Sequence, residues 1–470
     1  MAVTSYFLLC TASENIVTFF FCHIFLGLVW FNLKLKVNIN RHYTLLYFLF
    51  INFLCLFIIL LRVYLAITYD LDFSLVSGVN TEVSIFGDTL ICLALLTSVF
   101  SWVFLSERHL FKFDFFIFFF FIFGVCTISM VSTTNLLQMF IYFELMFLPS
   151  LVFVYKFGYA KKVTKSILFL LTWTLTGSFL VLVGAAYLYG VYGLLDINSL
   201  YLLKFSPIEK HMLFFVFFVG FGIKIPVWPF YYWLIKVHVE APTGFSIFLS
   251  GFLVKTAFYC LMFFYSLFSS HVTNALVEAF IVWGIIDSSV RMWGALDVKK
   301  LIAYATVQEM NLIMLFVFLA GNNNSTVLNL FILVHGILSA LFFFLVDQVQ
   351  KQFGSRNTLL LAGLSLAAPI LTIVIWAGLL IFRGFPVFVK FIIEWELAHL
   401  LYVNFQLLGI VIFFLFSLYG VLGFCKVWFT IIYGQPIHGL NSSEMLKRDL
   451  LVGSTLVFFL TILGSLIIFF

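Results

Sequence analysis

Charged residues are scarce in this 470-residue sequence. Asp, Glu, Lys and Arg supply only 10% of it, whereas hydrophobic residues supply 64%. A soluble globular protein has about 25% charged residues, so that class is excluded. Continuous apolar runs recur along the chain, and about 20 such residues in a helix cross a hydrocarbon core of about 30 Å. The sequence therefore predicts an all-α integral membrane protein with many spans.

Motifs for metals, clusters and nucleotides are also missing. The seven cysteines include no C-x-x-C pair, so neither a zinc site nor an iron–sulfur cluster is supported. Neither a P-loop nor a G-x-G-x-x-G motif follows a strand-like pattern, which removes the usual ways of binding ATP or a dinucleotide. If the protein takes part in redox chemistry, the redox groups are expected elsewhere.

Apolar runs and loop charges together predict the topology. We count about fourteen spans, near 16–33, 43–66, 84–105, 114–132, 134–155, 166–190, 212–235, 242–267, 274–296, 301–320, 327–347, 370–398, 404–432 and 450–470. The odd-numbered loops hold sixteen Lys and Arg residues and the even-numbered loops hold two. By the positive-inside rule the odd loops face the cytoplasm or mitochondrial matrix, which places both termini on the opposite side. The net charge of +5 therefore reports topology, not nucleic-acid binding.

Several ionisable residues fall inside the predicted spans. A charge at the bilayer centre costs about 2.5–3.5 kcal/mol on insertion scales, so each is a functional candidate. Those nearest the middle of a span are Glu144, Lys224, Lys255 and Glu394. Other intramembrane candidates are Glu309, His335, the pair Asp287 and Arg291, which are four residues apart, and the pair Arg62 and Asp88. The alternative reading is a set of buried salt bridges that only fix helix packing.

Two spans are interrupted beside a charge. The seventh contains Pro226 and Pro229 next to Lys224, and the twelfth contains Gly384 and Pro386 ahead of Glu394. Broken helices in corresponding positions of two halves point to a transport site. They free backbone carbonyls and admit water, so that Lys224 can exchange a proton as Glu144 approaches or leaves.

Near-equal offsets predict an internal repeat. Glu144 matches Glu309 at 165 residues, Lys224 matches Glu394 at 170, and Lys255 matches Lys426 at 171. We therefore predict two five-helix repeats, 113–267 and 274–432, the second inverted in the membrane. A three-helix segment, 1–112, precedes them, and a loop with the last helix, 433–470, follows.

Longer motifs resemble a known family. "KIPVWPFYYWLIKVHVEAPTGFSIFLSGFLVK", Lys224 to Lys255, is similar to the broken seventh helix, H-x-E-A-P loop and eighth-helix lysine of the antiporter-like subunits of respiratory complex I. "DVKKLIAYATVQEMNLI" and "VHGILSALFFF" resemble two further family motifs. The resemblance covers about 135–434, and an acid at position 394 separates this chain from family members with lysine there.

The resemblance implies a function. It implies a proton-translocating membrane-arm subunit of NADH:ubiquinone oxidoreductase in the mitochondrial inner membrane, beside other antiporter-like subunits and lipids. NADH, flavin, iron–sulfur clusters and quinone are expected in partner subunits, with no cofactor bound by this chain. The 66 phenylalanines agree with T-rich codons of an organelle genome. The alternatives are an Mrp-type sodium/proton antiporter and a structural scaffold.

The resemblance also implies the site residues. They are the proton-path residues Glu144, Lys224, Lys255, His335 and Glu394, together with His238 of the loop. Three positions depart from the family pattern: Glu309 and Tyr231 stand where histidines are expected, and the turn before Glu394 contains Lys390. Two readings stay open: Glu309 forms a proton site with Lys255 or His335, or Lys390 neutralises an acid.

Overall fold

The computed structural model describes residues 113–158, 163–268, 271–320, 325–386 and 388–435, with 87, 89–91, 93, 94, 97, 453, 454, 456 and 457. The predicted segments 1–112 and 433–470 lie almost wholly outside these residues. Arg62 and Asp88 also lie outside them.

Helices make up most of the described chain. They are α1 Phe113–Ser132, α2 Leu136–Phe157, α3 Val163–Tyr192, α4 Ile197–Tyr201, α5 Pro207–Gly222, α6 Tyr232–Glu240, α7 Thr243–Phe248, α8 Val254–Phe268, α9 His271–Trp293, α10 Val298–Ala320, α11 Ser325–Phe353, α12 Leu364–Ala367, α13 Pro369–Phe382 and α14 Val389–Tyr433. A π-helical turn, Leu249–Leu253, joins α7 to α8, and a 3₁₀ turn, Thr358–Leu360, precedes α12. The predicted all-α class is confirmed for the described residues.

Within the described part of the chain, five helical segments are long and apolar enough to cross a membrane. They are Leu136–Phe157, Val163–Tyr192, Thr243–Phe268, Val298–Ala320 and Val327–Phe353. α10 is central: it packs against α6, α9, α11 and α14, and nearly all of its side chains are buried. α3 is peripheral and exposes apolar side chains such as Leu168 and Phe179. A helix surrounded by protein and a helix facing lipid can both be apolar all round, which is why composition alone does not separate them.

Helix interruptions lie beside the predicted charges. α5 ends at Gly222 and α6 begins at Tyr232, and the turns between them contain Pro226 and Pro229. The indole Nε1 of Trp233 donates a hydrogen bond of 2.7 Å to the Ile223 carbonyl, which satisfies one carbonyl there. α13 and α14 are separated by residues 383–388, including Gly384 and Pro386.

The π-helical turn was not predicted, because 242–267 reads as one continuous span. Gly251 lies in this turn, and a Cβ there would contact Thr97 Cγ2 and lie 3.5 Å from the Gly336 carbonyl of α11. The missing side chain makes room for the Thr97 methyl group, whereas the distance to α11 is an ordinary van der Waals contact. Only the contact with Thr97 reveals this requirement, since the apolar pattern continues through the turn.

Two matching pairs of backbone hydrogen bonds, called backbone ties here, join loops that are distant in sequence. In one, Leu136 N donates to Leu195 O and Ile197 N to Thr134 O, both at 2.9 Å, pairing Asn135 with Asp196. In the other, Val298 N donates to Arg356 O at 3.1 Å and Thr358 N to Leu296 O at 2.9 Å, pairing Asp297 with Asn357. The paired positions are offset by 162 and 161 residues. Each tie joins the start of one helix to the chain that follows the next long helix.

Candidate functional site

Lys224 and Glu144 form a buried ion pair at the first break. The Lys224 ammonium donates to Glu144 Oε1, and the Ser178 hydroxyl donates to the same oxygen at 2.7 Å. The ammonium also lies 4.0 Å from the ring centroid of Phe143 and 4.5 Å from that of Phe147. Aromatic faces attract a desolvated cation. The Lys224 side chain is 1% exposed and that of Glu144 27%, so the carboxylate is the outer member of the pair.

Lys255 is fully buried and occupies a different environment. Its ammonium donates to the Ser250 carbonyl within the π-helical turn. Within the described chain it forms no ion pair, although Glu309 lies close enough for a Coulombic interaction. The π-helical turn therefore supplies a carbonyl partner to a lysine that has no carboxylate in direct contact.

The two predicted histidines are buried near these groups. His238 is 0% and His335 2% exposed, and neither ring has a hydrogen-bond partner among the described residues. The His238 ring stacks on Phe343 with centroids 4.9 Å apart, and His335 lies within Coulombic range of Lys255 and Lys390. A buried, unpaired imidazole can accept or donate a proton through water.

A second buried ion pair lies beside the second break. Lys390 Nζ donates to Glu309 Oε1 at 2.7 Å and to the Phe382 carbonyl at 2.5 Å. Glu394 Oε1 is 3.6 Å from the same ammonium. Of the two readings left open by the sequence, this geometry supports the one in which Lys390 neutralises an acid. Glu309 does not hydrogen-bond to Lys255 or His335.

Gly384 determines how closely Glu394 approaches the break. Its φ of +67° is in the left-handed region that favours glycine, and a Cβ at this position would overlap the Glu394 carboxylate. Glu394 also borders a cavity of about 460 Å³, whose lining includes Arg383, His399 and Ser417. The carboxylate thus lies between the Lys390 ammonium and an open space.

Asp287 and Arg291 form the local ion pair that their spacing predicts, with Arg291 Nε 2.9 Å from Asp287 Oδ1. Two tyrosines complete this group: Tyr231 donates to Asp287 Oδ2, and Arg291 Nη2 donates to the Tyr232 hydroxyl at 2.7 Å. Tyr231 thus replaces an expected histidine with a hydroxyl donor. This cluster lies at the N-terminal end of α6 and on α9, and no described hydrogen bond links it to Lys224 or Lys390.

Sequence reasoning missed some members of the site. The Phe143 ring and the Phe382 carbonyl each contact a buried ammonium, and Ser178 donates to the Glu144 carboxylate, yet all three lie in unremarkable apolar segments. The sequence showed Lys390 to be an intramembrane base, but it did not show that Glu309 is its partner. Among the described residues, no group of His, Cys, Asp and Glu could hold a metal ion.

Comparison with known proteins decides the family. Residues 133–423 match the family model described as "NADH:quinone oxidoreductase/Mrp antiporter, TM". NADH-ubiquinone oxidoreductase chain 4 of Paramecium tetraurelia is 34% identical over 383 residues, which cover 79% of this chain and 79% of that protein. The chain belongs to the chain 4 branch of this antiporter-like family. The family's chain 4 from Acanthamoeba castellanii is 28% identical over 364 residues, covering 75% of this chain and 72% of that one.

Solved structures share the family's fold. Respiratory complex I from Thermus thermophilus with bound aureothin contains a chain with TM-score 0.68 and 17% identity, covering 81% of this chain and 83% of that one. A chain of an archaeal membrane-bound sulfane sulfur reductase has a TM-score of 0.72 and 17% identity, covering 81% of this chain and 79% of that one. A chain of the Mrp complex of Dietzia sp. has a TM-score of 0.67 and 20% identity, covering 75% of this chain and 67% of that one. The residues that match the family model include all seven candidate proton-path residues. These are Glu144, Lys224, His238, Lys255, Glu309, His335 and Glu394.

Proposed function

We propose that this chain is a proton-translocating membrane-arm subunit of NADH:ubiquinone oxidoreductase. It moves protons from the mitochondrial matrix to the intermembrane space through buried Glu, Lys and His residues. One observation carries the proposal: a fully buried lysine is paired with a carboxylate at a break in its own helix. The names of the relatives point to the same enzyme.

The Glu144–Lys224 pair has two charge states that differ in stability. Lys224 is enclosed by two aromatic rings and one carboxylate, so Glu144 is the main counter-charge of its ammonium. When Glu144 takes a proton or moves away, an uncompensated buried ammonium remains, which is strongly unfavourable. Lys224 then releases its proton inward. Return of the Glu144 charge restores the ammonium.

Lys255 receives and passes on that proton. Its only described polar contact is a backbone carbonyl, so loss of the proton breaks no ion pair. His335 lies within Coulombic range of both Lys255 and Lys390 and connects the central lysine to Glu309 and Glu394. His238, buried against Phe343, is the loop member of the path.

Redox chemistry in other subunits supplies the energy. Moving one charge against the membrane potential costs about 2.3 kcal/mol per 100 mV, and this chain carries no sequence motif for a redox group. We infer that NADH, flavin, iron–sulfur clusters and quinone bind to partner subunits. Neighbouring antiporter-like subunits and lipids surround the chain, with Glu144 near one interface and Glu394 near the opposite end.

We further propose the finer topology. The chain has about fourteen spans, with inverted repeats over 113–267 and 274–432 and both termini on the intermembrane-space side. The two backbone ties at offsets of 162 and 161 residues support the repeat. So do Pro207 and Pro369, which are the first residues of α5 and α13 and are 162 residues apart.

Lys224→Met tests the proposed function. This change keeps the length of the side chain and removes its proton. In vesicles containing the assembled complex, we expect proton pumping to fall about tenfold or more, since a positioned acid or base typically contributes 10²-fold or more to proton transfer. Pumping is measured with a pH-sensitive dye alongside NADH oxidation, and assembly is checked on a native gel.

Lys351→Met is the matched control. Lys351 pairs with Asp347 at 3.0 Å on an exposed helix end, so its removal should leave pumping unchanged. Normal pumping by assembled Lys224→Met would refute the proposed role of the pair.

A further inference from the structure

We propose that Lys390, Glu309 and Glu394 form a second proton relay, in which one ammonium alternates between two carboxylates. Together these three residues are the Lys390 triad. The inference rests on the proposed function and extends it to the second half of the chain. It assigns Lys390 a proton-carrying role in addition to neutralising an acid.

The Lys390 triad has the same construction as the Glu144–Lys224 pair. In each case a glutamate within an unbroken helix, α2 or α10, meets a lysine at or just after a helix break. The glutamates are offset by 165 residues and the lysines by 166. The Lys390 ammonium also lies over an aromatic ring, 4.2 Å from the Phe382 centroid, as that of Lys224 lies over Phe143.

Lys390 is therefore the counterpart of Lys224, in place of Glu394. The sequence offset of 170 residues had matched Lys224 with Glu394. The structure instead gives both lysines a glutamate partner, at offsets that differ by one residue. Glu394 is an additional acid, one helical turn beyond Lys390.

Charge counting explains why the extra acid matters. The triad itself, with two carboxylates and one ammonium, has a net charge of −1 in a setting where Lys390 is 3% and Glu309 5% exposed. The nearby Lys255 offsets this charge only while it holds its own proton. An unbalanced buried charge is costly, so the triad favours uptake of one more proton. Since Lys390 is 2.7 Å from Glu309 and 3.6 Å from Glu394, a small movement of the ammonium changes its partner.

One cycle moves one proton with all charges balanced. A proton from the Lys255 and His335 side binds to Glu309, which then releases the ammonium. Lys390 turns to Glu394 and gives it a proton. The neutral amine next takes the proton held by Glu309, and the first ion pair re-forms. Glu394, 30% exposed and bordering the 460 Å³ cavity, loses its proton into that space.

Lys390→Arg separates a relay from a structural ion pair. Arginine can keep a salt bridge to Glu309 and Glu394, but it does not give up its proton in proteins. We expect the variant complex to assemble and to lose proton pumping about tenfold or more. Normal pumping in the assembled variant would overturn the proposal.

The double variant Glu309→Gln with Lys390→Met provides a second test. A buried ion pair that serves only packing can often be replaced by neutral side chains of similar size without loss. Full pumping by this double variant would therefore identify the pair as structural. A loss as large as that of Lys390→Met alone would support the relay.

Lys224→Met distinguishes the two proposals. If it pumps normally, the proposed function fails, and with it this inference. If Lys224→Met loses pumping while Lys390→Arg or the double variant retains it, only the Lys390 triad is wrong. Lys351→Met serves again as the control for removing a lysine.

Discussion

At the level of single residues, three buried lysines differ in what stabilises their ammonium groups. Lys224 and Lys390 each contact a carboxylate and an aromatic ring. Lys255 contacts a carbonyl of the π-helical turn. A carboxylate can gain or lose charge and a carbonyl cannot. Under the proposed function, Lys224 and Lys390 are therefore controlled by a carboxylate partner, and Lys255 receives protons between them.

Gly384→Ala should disturb the Lys390 triad without replacing a titratable residue. The left-handed φ of +67° at this position costs a residue with a Cβ about 1–2 kcal/mol. The new methyl would also displace the Glu394 carboxylate. We expect a lower thermal midpoint for the purified complex and reduced pumping per NADH oxidised.

Gly190→Ala is the control for that substitution. Gly190 lies in α3 with open space around its Cβ position, and alanine is a better helix former than glycine by about 1 kcal/mol. Stability should be unchanged or slightly higher. If Gly384→Ala behaves like Gly190→Ala, the close approach of Glu394 to the backbone is unimportant.

At the level of elements, the start of α5 shows how a broken span is anchored. Ser206 accepts a hydrogen bond from Glu209 N at 3.3 Å, and Glu209 Oε2 accepts one from Ser206 N at 2.8 Å. This reciprocal pair is a capping box. The Tyr187 hydroxyl of α3 donates to Glu209 Oε1 at 3.0 Å. The cap therefore ties α5 to α3 outside the predicted span 212–235.

The Glu209 cap should depend on pH. Hydrogen bonds from Ser206, and then from Tyr187, lower the pKa of Glu209 from 4.5 to about 2. A lowered pKa means that the carboxylate stabilises the cap above about pH 4.5, and this contribution is lost as the pH falls towards 2. In Glu209→Gln, amide exchange in the first turn of α5 should be faster than in the unmodified chain at pH 7. The difference should narrow below pH 4.5.

Lys210→Gln is the control for the Glu209 experiment, because it changes a charge in the same turn outside the capping box. It should alter amide exchange less than Glu209→Gln at every pH. Equal exchange for Glu209→Gln and the unmodified chain at pH 7 would contradict the stabilising role of the carboxylate.

At the level of the whole molecule, the description of the family names both NADH:quinone oxidoreductase and the Mrp antiporter. The proposed function predicts that proton pumping by the complete complex requires NADH oxidation and does not require sodium. Replacing sodium with potassium in the vesicle experiment should leave the ratio of protons to NADH unchanged. A sodium gradient that drives proton movement without NADH would favour the Mrp-type alternative.

Sequence reasoning was sufficient for the membrane class and for the family. Both depend on local properties: apolar runs of the length of a bilayer, and the motif from Lys224 to Lys255 with its fixed spacing. The interruptions at Pro226 and Gly384 are also local, because proline and glycine alter the backbone where they stand. Asp287 and Arg291 are neighbours on one helix turn, so their ion pair was predictable.

Tertiary structure decided the partners. Lys390 meets Glu309 across 81 residues of sequence, through packing that no local pattern encodes. The pairing of Lys224 with Glu144 across 80 residues was expected from the helix break and the family resemblance, but its geometry also depends on packing. The need for a glycine at position 251 depends on its contact with Thr97, and the burial of α10 depends on the helices around it. The sequence by itself determined which charges enter the membrane, because hydropathy is a property of each segment. Which charge neutralises which was decided only when the helices packed, since a Coulombic contact depends on distance in space.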